Sequence, residues 1–328
     1  MVDLAGNTFC CFTRLFGQEK AKRLITRSLT AGRVPHAYIF KGPEGVGKKM
    51  FARGVAAAVN CRDNMKIGAC GICSSCKKFR SMNHPDFLVV SPDKGMIKID
   101  QIRRLTRELS YPPYESSMRV VVLEDVQTMR REAANSLLKT LEEPPENNLL
   151  ILIAEASQEI LATLSSRCQV IPFSQLSIDD TAAILVQQGI DIESARLLAR
   201  LSEGSPGKAL QFHKSELIDL WRKIISFLSD PKVDPDRDVG DLLYLAETMA
   251  ALKEELPSLL GLLKIWLRDL LISENQDHGM VQNESSLVKN WNSAELFARL
   301  QAIDRAENEL SRNCNRNLVC EVLLFKLQ

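Results

Sequence analysis

Short unbroken apolar runs alternate with stretches of helical periodicity along the first half of the chain. The runs fall at Tyr38–Lys41, Phe87–Val90, Arg119–Asp125 and Leu149–Ala154, and a further stretch, Gln169–Phe173, follows them. Runs of this length without polar alternation suit strands covered on both faces, as in a parallel sheet. Between them, Ala21, Leu24, Ile25 and Leu29 share one helix face. Met50–Val59 is an Ala-rich helix, and Ile102, Leu105 and Leu109 line a helix over Ile99–Leu109 with Asp100 near its start. Ala133–Leu141 forms another, closed by Pro144 and Pro145. Strand and helix in turn predict an α/β fold.

Beyond about Leu176 the strands cease. Leu176–Ser202 reads as two short helices around Gly189, and Gly204–Leu210 starts another. From Glu216, the residues Leu217, Leu220, Trp221, Ile224, Ile225 and Leu228 keep the 3.6-residue period. Pro231 and Pro235 interrupt it in an Asp-rich stretch. Leu242–Leu252, Leu259–Ile272 and Ala294–Leu327 supply further helices, and Ser273–Ser293 reads as a polar surface loop. No catalytic constellation falls in this half, so a packed helical bundle is expected.

Composition narrows the function. At 328 residues and 45% apolar content, about two domains with a real core are expected. A net charge of +1 gives no global field toward nucleic acid, so any DNA contact would need a local patch. Met1–Asn7 lacks the basic and apolar regions of a signal peptide, and Leu256–Leu267 is broken by Pro257 and Lys264, so no membrane-spanning run is expected. These features predict a cytoplasmic protein whose nine cysteines are reduced, buried or metal-bound.

Two motifs carry chemistry. Gly42-Pro-Glu-Gly-Val-Gly-Lys48 follows a strand and opens a helix, which is the phosphate-binding arrangement: Gly42, Gly45 and Gly47 let backbone N–H groups turn toward phosphate oxygens, and Lys48 adds charge. The motif's final Ser or Thr, a Mg²⁺ ligand, is replaced by Lys49. Whether ATP or ADP is held there is left open. The second motif is Cys61 with Cys70-Gly-Ile-Cys73-Ser-Ser-Cys76. Four thiolates at this spacing predict a closed, structural Zn²⁺ site, with an iron–sulfur cluster or four buried thiols as the competing readings. Lys77, Lys78 and Arg80 read as a solvated helix face. His84 reads as a hydrogen-bonding loop residue.

Asn135-Ser-Leu-Leu-Lys-Thr-Leu-Glu-Glu-Pro-Pro145, with Ser166-Arg167-Cys168 about 20 residues on, resembles the clamp-loader branch of AAA+ proteins. The four-cysteine insert after the phosphate-loop helix is likewise characteristic of bacterial clamp-loader subunits. The likeness runs from Phe16 to about Leu210; beyond it only helical character agrees.

The resemblance implies an AAA+ P-loop core with a parallel sheet over 1–173, carrying the zinc-knuckle module at about 61–76. A small helical lid over 174–213 and an all-α collar over 214–328, through which subunits assemble, would follow. It also implies partners: the tau/gamma ATPase subunits, the clamp-opening delta subunit and, through the complex, the sliding clamp and primer-template DNA. In such rings the arginine of Ser-Arg-Cys reaches into the neighbour's ATP site. Four positions depart from the ATPase pattern: Lys49, the reversed acid pair Glu124-Asp125, Glu155-Ala156 at the polar sensor, and Gly207 where the lid carries an arginine. The expectation is therefore a subunit that does not hydrolyse ATP on its own and donates Arg167 in trans. An active tau/gamma-like ATPase and a zinc-knuckle nucleic-acid-binding module are the alternatives.

Overall fold

The apolar runs become five parallel strands. The structure is a computed structural model that describes residues 11–63, 67–155, 161–215, 217–229, 239–275 and 291–328. Ala156 and the Pro231–Pro235 interruption lie outside them, as does most of the expected 273–293 loop. The strands are β1 (Ala37–Gly42), β2 (Phe87–Val90), β3 (Arg119–Leu123), β4 (Asn148–Glu155) and β5 (Gln169–Pro172), in the order β2-β3-β4-β1-β5. β3 is buried throughout and β4 along all but Glu155. That burial is why neither shows polar alternation in sequence. β3 stops one residue short of the acid pair, and Asp125 turns into the left-handed region at φ 50°.

Parallel strands require crossovers, and these are α2 (Lys48–Val59), α3 (Ser74–Arg80), α4 (Ile99–Leu109), α5 (Arg131–Glu142) and α6 (Ala162–Ser165), while α1 (Glu19–Thr30) precedes β1. Successive strand residues feed opposite faces. Tyr38, Phe40, Val120, Val122 and Ile151 pack with Phe51 and Val55 of α2. Ile39, Val121, Leu123, Leu150 and Leu152 pack with Ile102 and Leu105 of α4 and with Leu137 and Leu141 of α5. Phe51 stands edge-on to Phe40 at 5.6 Å and to Phe173 at 5.1 Å between ring centres, fixing α2 on the sheet behind the phosphate loop. Three helices follow the sheet: α7 (Ile178–Gln187), α8 (Ile192–Leu201) and α9 (Pro206–Lys214).

The chain divides into two compact units between Leu210 and Gln211, so the sheet shares its unit with α7 and α8. The second unit is helical: α10 (Leu217–Ser229), α11 (Val239–Ala251), α12 (Leu256–Asn275), α13 (Ser293–Ser311) and α14 (Arg316–Leu327). Pro257 is accommodated in the first turn of α12, where its missing N–H has no helical partner to lose. The 294–327 span divides at Asn313, which adopts φ 60°, and Asn315 then caps α14. Lys264 of α12 holds Asp304 and Glu307 of α13, each at 2.6 Å. No described helix is long and apolar enough to cross a membrane.

Candidate functional site

The phosphate loop is built from strand to helix. β1 delivers the chain to Gly42, where an added Cβ would lie 2.5 Å from the Phe173 carbonyl oxygen, so only glycine fits beside the end of β5. Gly45 and Gly47 have φ of 74° and 95°, a region that glycine enters without strain. The same Gly45 is pressed against the start of α9: Gly207 N–H donates to the Gly45 carbonyl at 2.9 Å, and Ser205 Oγ donates to the Glu44 carbonyl at 2.8 Å. Gly207 is therefore a packing residue against the loop.

Lys48 opens α2 and is buried, with Nζ donating to the carbonyls of Gly42 at 2.6 Å and Pro43 at 2.5 Å. Burial lowers its pKa, against the opposing pull of Glu155, Asp125 and Glu44. Lys49 points the other way. Its Nζ lies 2.9 Å from Glu124 Oε2 and 3.7 Å from Asp125 Oδ2. Partial burial works against its charge, but the bond to Glu124 and the nearness of Asp125 outweigh that and raise its pKa. Ser91 Oγ donates to the same Glu124 oxygen at 2.8 Å. Glu155 ends β4 opposite Gly42, and its N–H donates to Gln127. Gly45, Gly47, Lys48, Lys49, Glu124, Asp125 and Gly207 all line one open cleft of about 630 Å³.

These residues suit the two parts of a metal-bound nucleotide unequally. The glycine loop leads through left-handed Gly45 and Gly47 into the N-terminus of α2, an arrangement suited to an anion. The acids that would hold the metal already carry an ammonium.

The other end of α2 leads to the cysteines. Cys61 follows the helix directly, Cys73 caps α3, and Cys76 lies in its first turn. The four sulfurs lie within 4.8 Å of one another, with Cys70 and Cys76 at 3.9 Å and Cys61 and Cys76 at 3.8 Å. A tetrahedron with metal–sulfur bonds of about 2.3 Å has edges of about 3.8 Å, so the four suit one ion. Backbone N–H groups of Cys70, Cys73 and Cys76 donate to the sulfurs of Cys61, Cys70 and Cys73 in turn, which favours thiolates. Arg53 of α2 ties the module down by donating to the carbonyls of Phe79 and Arg80.

His84 is the hydrogen-bonding loop residue expected: it is buried, stacked on Phe79, and bonded to Ser75 and Ser116. Its neighbour Asp86 gave no signal in the sequence. Fully buried, it accepts N–H bonds from Tyr114, Glu115 and Ser116. Arg119 was visible only as the start of a strand, yet its guanidinium donates to the carbonyls of Glu108, Tyr111 and Pro112. The Asp86 contacts join residues 28 to 30 positions apart, and those of Arg119 go to backbone carbonyls, which no residue pattern marks.

Arg167 is not among the residues lining the phosphate cleft. It follows α6 at the surface, where Nη2 pairs with Glu142 Oε1 at 2.7 Å and Nη1 donates to the Thr163 carbonyl. Glu142 is the last residue of α5 and belongs to the same Asn135–Pro145 motif. Cys168 turns inward to the core, and burial pushes its thiol up to about 12.

Comparison with known proteins adds the family. Residues 17–177 match the family described as DNA polymerase III, delta subunit. The tau subunit of DNA polymerase III from Escherichia coli is 32% identical over 61% of this chain, which spans only 32% of that protein. A gamma subunit-related protein of Thermotoga maritima, known from its crystal structure, covers 94% of the chain at 18% identity with a TM-score of 0.45, matched over 97% of its own length. The delta-prime subunit of DNA polymerase III from Bacillus subtilis is 30% identical over 95% of this chain and 96% of its own length. With that correspondence running nearly end to end, the chain belongs to the DNA polymerase III delta-prime family.

Proposed function

We propose that this chain acts in a bacterial clamp loader as a subunit that does not hydrolyse ATP. It would help assemble the ring with tau/gamma and delta subunits, and present Arg167 to the ATP of a neighbouring ATPase subunit while the clamp is loaded onto primer-template DNA. One observation carries the reading: the ammonium of Lys49 sits 2.9 Å from Glu124, where metal-assisted hydrolysis needs a divalent ion. With that ion displaced, the main electrostatic source of phosphoryl-transfer catalysis is removed from this chain's own cleft.

Arg167 supports the second half. It lies outside the cleft and is half-exposed, and its partner Glu142 is also at the surface, so the pair can be exchanged for a phosphate without burying a charge. The helical unit supplies a surface for assembly: Leu318, Val322 and Phe325 of α14 are exposed at helical spacing on one face. For the cysteine cluster we propose Zn²⁺, the ion that four thiolates in a closed tetrahedron favour, with a structural role.

The test is a loader reconstituted from tau/gamma, delta and this chain. Arg167→Ala should leave assembly intact. It should lower clamp- and DNA-stimulated turnover at the site the arginine serves by roughly 10³-fold or more, as expected of an arginine finger. An unchanged rate would overturn the assignment. The tau/gamma-like ATPase reading draws on Gly45, Gly47 and Lys48 and on the likeness to tau; turnover by the purified chain, abolished by Lys48→Ala, would favour it. The nucleic-acid-binding reading of the cysteine module has less support, because Lys78 pairs with Glu115 and Arg80 donates to the Gly71 carbonyl. Tight, steeply salt-dependent DNA binding by the chain alone would revive it.

A further inference from the structure

The cleft has lost its place for a metal but not its place for an anion. Glu124 Oε2 already accepts from Lys49 at 2.9 Å and from Ser91 at 2.8 Å. A divalent ion would have to displace both donors and stand beside an ammonium that repels it. Asp125, 3.7 Å from the same ammonium, offers no independent pair of ligands.

The anion side is intact. Gly45 and Gly47 hold the left-handed turns that a phosphate cradle requires, and Gly47 caps α2 directly. Among the described residues, Lys48 Nζ donates to two neutral carbonyls, partners that a charged phosphate oxygen would replace with a stronger bond. Arg53 also borders the cleft, but is bonded to the carbonyls of Phe79 and Arg80, and Glu44 stands at the loop itself. At about 630 Å³ and open to solvent, the cleft has room for a nucleotide.

We propose that Lys49 is the resident cation of this cleft, bridging the Glu124–Asp125 pair to a phosphate oxygen, so that a nucleoside polyphosphate binds here with no divalent metal. This rests on reading the chain as a non-hydrolysing subunit, but not on the role of Arg167. Its failure would leave the reconstituted-loader assay of Arg167→Ala untouched.

The experiment is calorimetric titration of the full-length chain with ATP and with ADP, in EDTA and in excess Mg²⁺. Binding in EDTA should be at least as tight as in Mg²⁺, because here the metal competes for the phosphates instead of helping to hold them. Lys49→Ser, which restores a hydroxyl, should reverse the order, with Mg²⁺ tightening binding by about tenfold. Lys49→Gln should weaken binding in EDTA by about tenfold. Absence of binding in EDTA up to about 1 mM ligand, or wild-type binding tightened about tenfold by Mg²⁺, would overturn the proposal. The wild-type comparison decides the matter even where a variant fails to fold.

Discussion

The two ends of α2 meet opposite fates. At its start, the glycine loop turns through Gly45 and Gly47 while the nearby acid pair Glu124–Asp125 is met by Lys49 of the protein itself. At its end, four sulfurs converge with tetrahedral spacing, all within 4.8 Å of one another. A cluster of potential ligands is therefore only half of a metal site. What already neutralises the ligands decides the rest. Glu124 and Asp125 have Lys49, whereas the sulfurs of Cys61, Cys70 and Cys73 each accept a backbone N–H, which favours the thiolate form a metal needs.

The cysteine end should be the easier to break. Structural Zn²⁺ in small thiolate sites binds with an apparent ~10–16 kcal/mol, much of it expressed as folding energy. Cys76→Ser should release the ion and lower the melting temperature further than any other change considered below. Metal analysis of the purified chain, with thermal melting before and after chelation, checks this. The ligands must be deprotonated to bind, so acidification should also release the metal. Wild-type protein without bound metal, melting like the variant, would remove this half of the comparison.

Asp86 gives the next largest effect, and it sharpens the contrast because it is a carboxylate held mainly by backbone N–H groups, with the Arg119 guanidinium 3.9 Å away. Burial pushes its pKa up, but the N–H groups of Glu115, Tyr114 and Ser116 outweigh that and hold it below the usual value. A depressed folded-state pKa contributes stability that is present above the unfolded value, near 4, and lost as pH falls through the folded one. Asp86→Asn should cost about 3 kcal/mol near neutrality and reduce the acid sensitivity of unfolding. Urea denaturation from pH 7 downward tests both; equal acid sensitivity in the two proteins would refute the assignment.

Gly45→Ala should come third, at about 2 kcal/mol. An added methyl would meet Ser205 Oγ at 2.3 Å in a backbone conformation that already disfavours alanine. Urea denaturation should show the loss. A neutral substitution would mean that the loop and α9 are less tightly joined than the Gly207–Gly45 bond suggests.

Much of this was legible in the chain, for identifiable reasons. β3 and β4 announced themselves because a strand covered on both faces is apolar along its middle, with the buried polar residues Arg119 and Asn148 confined to the strand starts. The face of α4 was visible in Ile102, Leu105 and Leu109, all buried. The cysteine spacing and the phosphate loop are local, and local motifs survive translation into one dimension. What stayed hidden joins distant residues. Gly207 looked like a missing arginine in the lid, and its contact with Gly45 across 162 positions explains why a small residue stands there. Lys49 looked like a blemish in a motif; its meaning lies in Glu124, 75 residues away. Asp86 and its three donors lie 28 to 30 residues apart, with no periodicity to reveal them.

The smallest effect expected on the isolated chain is at Arg167, and its smallness is the useful part. The pair with Glu142 is short at 2.7 Å, but both side chains are substantially exposed, at 36% and 50%. Exposed pairs of this kind contribute ~0–1 kcal/mol, so Arg167→Ala should shift the urea midpoint of the chain hardly at all. Lys49 differs: it is itself 55% exposed, but its Glu124 partner is only 16% exposed and a second donor holds that carboxylate. The bond to Lys49 should therefore resist exchange more than the bond to Arg167. One glutamate keeps its cation in the cleft, and the other can surrender its cation to a neighbour. If Arg167→Ala destabilised the isolated chain by more than ~1 kcal/mol, a loss of loader turnover would have a structural cause, and the arginine would cease to be separable from its own fold.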